Sequence, residues 1–239
     1  MTPLERLRLE KAAADCGFER TPVLLTDGRV ELRSAQFPEV VAVYVEDDGY
    51  RVSASTAMLL DGAHNFSIFA GDVDQLYATL QRASAIARTM PNRVADQFRR
   101  EKLNLPQTTE AERLVVQRVG QDLFRNALMD YWQGRCCVTG LAVSGLLRAS
   151  HIKPWAKCQS DDERLDVFNG LLLAPHIDAL FDGGWISFYD EGGLLVSEAL
   201  SFDARMQLGV SSDWRISNLK PAHMTYLAFH RANEFRELS

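Results

Sequence analysis

Several absences narrow the reading of this chain of 239 residues before any motif is considered. No apolar run is long enough to span a bilayer, and the opening Met1-Thr-Pro-Leu-Glu-Arg-Leu-Arg lacks the apolar centre of a secretory signal, so a cytoplasmic protein with no membrane partner is expected. Cysteine is scarce. The four cysteines, at 16, 136, 137 and 158, do not make the paired C-x-x-C spacing that cages a structural zinc; reduced, partly buried thiols are expected instead, and no structural zinc. If the segment around Cys136 and Cys137 is a strand, the two side chains point to opposite faces and cannot share a metal. Internal repeats and low-complexity tracts are missing as well.

An excess of positive charge is also missing. The formal net charge of −6 is wrong for a protein that coats nucleic acid non-specifically. The charge is uneven: residues 1–92 hold 9 Lys and Arg against 13 Asp and Glu, 93–130 hold 7 against 6, and 131–239 hold 10 against 13. Only the middle stretch is not acidic. A site that handles phosphate needs local positive potential rather than a positive total, and a bound divalent cation would add to it.

Ordinary globular composition at this length allows one large or two small domains, and periodicity favours two. Leu4 to Cys16 reads as a short amphipathic helix with Leu4, Leu7, Ala12 and Cys16 near one face and Gly17 at its end. The period then changes to that of strands. Pro22 to Thr26 and Arg29 to Ser34 flank Asp27-Gly28, and Val40 to Val45 and Tyr50 to Ala54 flank an acidic turn ending in Asp48-Gly49, which predicts a curved antiparallel sheet of about four strands. Helical spacing returns over Gly71 to Met90, with Val73, Leu76, Leu80, Ala83 and Ala87 on one stripe and Pro91 as the stop. Residues 1–92 are thus expected to form an α+β domain whose role, recognition of DNA or protein or assembly into oligomers, is not written in its sequence.

Residues 93–108 read as a charged connector, with a helix over Val94 to Lys102 and a break at Pro106-Gln-Thr-Thr. Thr109 with Glu112 makes a capping box, so a helix is expected to start there with Val116, Val119, Leu123, Ala127 and Tyr131 inward. Downstream, an apolar run ends in Arg148-Ala-Ser-His151-Ile-Lys-Pro-Trp155. Pro154 cannot donate to a ladder, which leaves His151 at a strand end. Asn169-Gly170 marks a turn, Leu171 to Leu173 can make a short buried strand, and Pro175 suits the first turn of a helix on which Asp178 and Asp182 share a face. His176 lies on another face. Trp185 to Tyr189 and Leu194 to Ser197 should pair as a hairpin, residues 203–209 as a helical turn, and Pro221 to Leu238 as a helix with Met224, Leu227, Ala228, Ala232 and Phe235 inward. His223 and His230 on that helix read as packing or surface residues.

The ordered fragments Gly120-Gln-Asp-Leu-Phe124-Arg125, Cys137-Val-Thr-Gly140, Ser150-His151-Ile-Lys-Pro-Trp155, Asn169-Gly-Leu-Leu-Leu and Asp178-Ala-Leu-Phe-Asp182-Gly-Gly-Trp-Ile-Ser-Phe188 resemble the HNH, or ββα-metal, endonucleases. The likeness runs over roughly residues 109–239 and leaves residues 1–92 without a counterpart. For the part it covers it implies a C-terminal helical domain containing a ββα-metal motif, which with the N-terminal α+β domain and antiparallel sheet read from periodicity makes an α+β fold. It also implies hydrolysis of DNA phosphodiesters with one divalent metal ion, Mg²⁺ or alternatively Mn²⁺ or Ni²⁺, in a restriction or phage-defence setting.

In the terms of that resemblance His151 is the general base and Asn169 orders the loop that orients it. Asp178 is the metal ligand, with Asp182 one turn on. Many members carry a zinc cage whose second cysteine would fall at Gly140. Most carry Asp, Glu or His as a ligand directly before the base, where this chain has Ser150, a weak ligand for Mg²⁺. Arg148 and Lys153, flanking the histidine, are expected phosphate partners, as are Arg118 and Arg125 on the preceding helix. Trp155 reads as a core anchor. Because such a site cuts one strand at a time, a double-strand break in duplex DNA implies a homodimer or successive nicks. RNA as substrate stays open, and so does a non-catalytic DNA-binding or interaction protein on a degenerate HNH fold.

Overall fold

A computed structural model describes residues 2–60, 66–90, 92–103, 110–216 and 218–236, with the backbone alone at 110–113. The chain divides into two compact units, Met1–Arg88 and Thr89–Ser239, each mixing helices with antiparallel sheet.

The first unit opens with α1 (Pro3–Asp15), held at its start by a capping box between Thr2 and Glu5. The buried face is Leu9, Ala12, Ala13 and Cys16, while Leu4 and Leu7 are exposed. The expected stripe is therefore out of phase: alanines, weak signals of burial, make the close contact and the two leucines do not. Next comes a meander in spatial order β1 (Val23–Leu24), β2 (Val30–Leu32), β3 (Val41–Glu46), β4 (Gly49–Ala54) and β5 (Ser67–Ala70). Both hairpin signals lie where strands reverse, at Asp27-Gly28 and at Asp48-Gly49. A fifth strand joins the four expected from the turns. Val30, Leu32, Val41, Val43 and Val52 are buried, so one face of the sheet forms the core. α2 (Val73–Thr89) closes the unit with Leu76, Leu80, Ala83 and Ala87 buried.

The second unit begins with α3 (Arg93–Lys102) and α4 (Glu110–Tyr131). The inward face of α4 is Gly120, Phe124, Ala127, Leu128 and Tyr131, one position round from the expected stripe. The Thr109–Glu112 box, the break at Pro106 and the stop at Pro91 lie outside the described residues. A two-stranded antiparallel pair follows, β6 (Arg148–His151) against β7 (Gly170–Leu173), and the chain between them carries the short α5 (Asp161–Arg164). β7 is buried throughout, and one residue later α6 (Pro175–Asp182) starts with proline in its first turn. β8 (Ile186–Phe188) pairs with β9 (Leu194–Val196), then α7 (Phe202–Gln207) and α8 (Pro221–Asn233) complete the described part.

Two local expectations change. Cys136 to Gly140 is a turn rather than a strand, with the Gly140 N–H donating to the Cys136 carbonyl and Gly140 at φ +72°. All four cysteines are free and buried. On α8 the buried positions are His223, Leu227 and His230, whereas Ala228 and Ala232 are exposed. Both histidines pack, with hydrogen bonds at their rings: His230 receives Ser187 Oγ at Nδ1 (3.0 Å) and donates from Nε2 to the Phe181 carbonyl (3.1 Å).

Candidate functional site

β6 places Ser150 and His151 on consecutive positions of one strand, so their side chains leave by opposite faces. The Ser150 face looks toward α6. There the Ser150 hydroxyl donates to the Asp178 carboxylate, with Asp182 and Arg148 close enough to act on it electrostatically. Burial pushes the Asp178 carboxyl above its ordinary range and the Asp182 charge pushes the same way, while the Ser150 hydrogen bond and the Arg148 charge pull it down. Asp178 is half-buried and Asp182 exposed, one turn apart on α6. Arg148 is exposed and its guanidinium also rests on the carbonyls of Leu146 and Leu147.

The His151 face is walled by aromatic rings. The imidazole stacks on Phe124 of α4 with ring centroids 3.8 Å apart and planes 13° off parallel, and meets Trp155 edge-on at 5.6 Å. Its Nε2 lies 2.8 Å from the Arg164 carbonyl oxygen. A carbonyl only accepts, so Nε2 carries the proton and Nδ1 holds the lone pair. Nδ1 has no hydrogen-bond partner among the described residues and is not one of their fully buried unpartnered atoms. Burial lowers the imidazole pKa to about 4, against the opposing pull of the Arg164 carbonyl, and the ring is neutral at pH 7.

The segment between the strands is stapled by Asn169, which is fully buried. Its Oδ1 accepts the Lys153 N–H at 2.7 Å; its Nδ2 donates to the carbonyls of Lys153 (3.2 Å) and Glu163 (3.0 Å). Glu163 precedes Arg164, so the staple ends one peptide from the carbonyl that holds His151. Asn169 closes a single 3₁₀ turn and Gly170 is the first residue of β7 at φ −143°, so this pair is not the turn its composition suggests. Gly170 is needed for proximity: a Cβ there would sit 2.6 Å from Phe124 and 2.7 Å from Leu128.

Two expected phosphate partners are committed elsewhere. The Lys153 side chain is only 12% exposed, pairs with Glu163 and lies over the Phe229 ring, so it braces the loop. Arg125 spends Nη1 and Nη2 on the carbonyls of Leu147 and Ser144, fixing the chain that enters β6. Sequence marks both only as cations, and the rings and carbonyls that capture them are remote in the chain. Arg118 is exposed on α4. The His176 ring is exposed beside Trp214. Trp155 is a half-buried anchor, packed against Gly120 of α4.

Phe124 and Arg164 carry the geometry around His151, and sequence reasoning did not single them out for it. Arg164 acts through a backbone oxygen, for which no residue type is diagnostic. The helix that presents it did leave a trace, since Ser160 and Glu163 have the spacing of a capping motif and the Ser160 hydroxyl accepts the Glu163 N–H.

The donors around Asp178 suit a hard cation: two carboxylates and a hydroxyl, all oxygen. No group of three or more His, Cys, Asp and Glu side chains gathers to hold an ion among the described residues. A cation there would keep much of its water, which Mg²⁺ does readily. At the turn before β6 the Cys136 thiol accepts the N–H groups of Thr139 (3.4 Å) and Ala174 (3.3 Å), and Gly140 faces open space.

Residues 136–189, from that turn through β6, β7 and α6 into the strand after it, match the family model described as HNH endonuclease. No curated protein matches the chain. No helix among the described residues is long and apolar enough to cross a membrane.

Proposed function

We propose that this protein is a metal-dependent HNH endonuclease that hydrolyses phosphodiester bonds of double-stranded DNA, with β6, β7 and α6 as its ββα-metal motif. His151 is the general base, Asn169 orders its loop, and Asp178, with Asp182 and Ser150, holds one divalent cation, Mg²⁺ with Mn²⁺ or Ni²⁺ as substitutes. The observation that carries the reading is the imidazole itself, within a segment that matches this family: Nε2–H is tied to a carbonyl, while the Nδ1 lone pair has no hydrogen-bond partner among the described residues. In the reaction Nδ1 takes a proton from water, the water oxygen bonds to phosphorus, and the bond to the leaving sugar oxygen breaks as that oxygen takes up a proton from solvent. A ring of pKa about 4 is a weak base in isolation, and an anionic phosphate beside it raises its proton affinity. When bound, the cation supplies charge compensation at the phosphate and at the leaving oxygen. Exposed Arg148 and Arg118 are the side chains offered to the DNA backbone. The family resemblance gives a restriction or phage-defence setting for this activity.

The test is nicking of supercoiled plasmid with Mg²⁺, Mn²⁺ or Ni²⁺. The native protein should nick in a metal-dependent manner, and His151→Ala should lose at least about a hundredfold of that rate, the low end of what general-base catalysis contributes. Metal-dependent nicking no faster than that of the variant sinks the reading. One observation favours the second reading, a DNA-binding protein without cleavage: Ser150, a neutral hydroxyl, takes the place of a third strong ligand. That reading predicts retarded DNA in a gel shift with no nicked product at any metal concentration.

A further inference from the structure

Between the strands, α5 ends in Arg164, whose main chain and side chain both bear on His151. The carbonyl accepts the ring N–H at 2.8 Å. The guanidinium turns back over the same segment: Nη2 donates to the Cys158 carbonyl at 2.7 Å, Nε to the Trp155 carbonyl at 3.3 Å, and Nη1 to Asp161 at 3.2 Å. It also stands 5.8 Å from the centre of the Trp155 ring, the ring that meets His151 edge-on. Asp161 takes Lys102 of α3 as well, and its neighbour Asp162 pairs with Arg99, so α5 is gripped from outside at its other end.

The Arg164 side chain is 24% exposed and every guanidinium nitrogen has a partner. It is therefore poorly placed to meet a phosphate. Three donors in a fixed planar fork suit a latch across two carbonyls and a carboxylate, which the single ammonium of lysine cannot reproduce. So short a helix is not stable alone, and the direction of its last carbonyl depends on such ties: Asn169 holds the preceding carbonyl, of Glu163, and the guanidinium ties Arg164 itself.

We propose that Arg164 is a positioning residue: its guanidinium latch fixes the direction of its own carbonyl, and that carbonyl fixes the tautomer and aim of the His151 ring. The activity arm of the test rests on the nuclease reading above; the spectroscopic arm does not. In ¹⁵N-labelled full-length protein, His151 should show a single tautomer, protonated at Nε2 and bare at Nδ1. Arg164→Met, which keeps the aliphatic stem, should mix the two tautomers. With supercoiled plasmid and Mg²⁺ it should lower kcat at least tenfold, with KM and the salt dependence of binding within twofold. Arg164→Lys should resemble the Met variant and serves in its place if circular dichroism shows the Met variant unfolded. An unchanged His151 spectrum overturns the proposal whatever the activity. So does a change confined to KM and salt dependence, which would make Arg164 a phosphate contact. If the native protein nicks nothing, the nuclease reading falls, and the His151 spectrum of the variants still decides the latch.

Discussion

His151 and His230 are built alike and differ in one nitrogen. Each stacks on a phenylalanine, Phe124 at 3.8 Å and Phe181 at 3.9 Å, and each gives an Nε2 proton to a backbone carbonyl. His230 has its other nitrogen closed by Ser187, whereas Nδ1 of His151 has no hydrogen-bond partner among the described residues, and that difference separates a packing histidine from a candidate base. Burial lowers the pKa of both rings, to about 4 for His151. The unfolded chain therefore binds protons at these sites, near pH 6.5, before the folded chain does. Their stabilising effect is complete above that value and is lost as the pH falls toward 4. The expected outcome is a drop in unfolding free energy between pH 7 and pH 5 of about 2 kcal/mol from His151 alone. Denaturant titrations at the two pH values measure it, and the double variant His151→Gln, His230→Gln should show a smaller drop than the native protein. At this scale the sequence revealed residue types whose chemistry is local: a histidine before a proline-stopped strand end, two aspartates one turn apart. It could not reveal that Lys153 would be claimed by Glu163 and Phe229, or Arg125 by two carbonyls, because those partners are set by folding.

Among the elements, α4 supports the pair β6 and β7 most directly, through Phe124 and Leu128 lying against Gly170, the residue paired with His151. Gly170→Ala would put a methyl group 2.6 Å from the Phe124 ring that also stacks on the imidazole. Overpacking of this kind costs about 1–3 kcal/mol. The melting temperature of the second unit should fall by roughly 2–12 °C, and nicking should fall with it, since the displaced ring is the one under His151. A melting curve matching the native one would show that the helix yields without strain. The periodicity of α4 was legible and its phase was not, and α1 and α8 share that fault. In α1 and α4 alanine or glycine shares the tight contact while larger apolar residues such as Leu4, Leu7, Leu114 and Val115 face solvent, and in α8 two histidines are buried while Ala228 and Ala232 are exposed. A hydrophobic pattern weights side chains by transfer energy, whereas close approach of backbones selects small ones. The two Asp-Gly hairpins were read more exactly because such a turn is fixed by backbone conformation alone.

At the scale of the whole molecule the charge balance of −6 bears on how the proposed site meets DNA. With Lys153 and Arg125 engaged within the fold, the proposed site offers the backbone Arg148 and Arg118, so binding should release few counterions and depend only shallowly on salt. In the proposed reading each copy carries a single His151 and a single Asp178, hence one centre that would break one strand at a time. Cleavage of both strands then requires a second copy, either in a homodimer or by a second encounter. The two routes separate in a time course on supercoiled plasmid. For successive encounters by monomers, the nicked circle should accumulate nearly completely before linear product appears. For a homodimer, linear product should appear without a lag once the concentration exceeds the dimer dissociation constant, and dilution below it should restore the nicked intermediate. The acidic first unit, with its five-stranded sheet, is our candidate for the dimerising element. Its removal should convert prompt linearisation into slow nicking while leaving the first-strand rate within about a factor of a few. If the shortened protein still linearises promptly, the pairing surface belongs to residues 89–239, and a target-selecting role becomes the better account of the first unit.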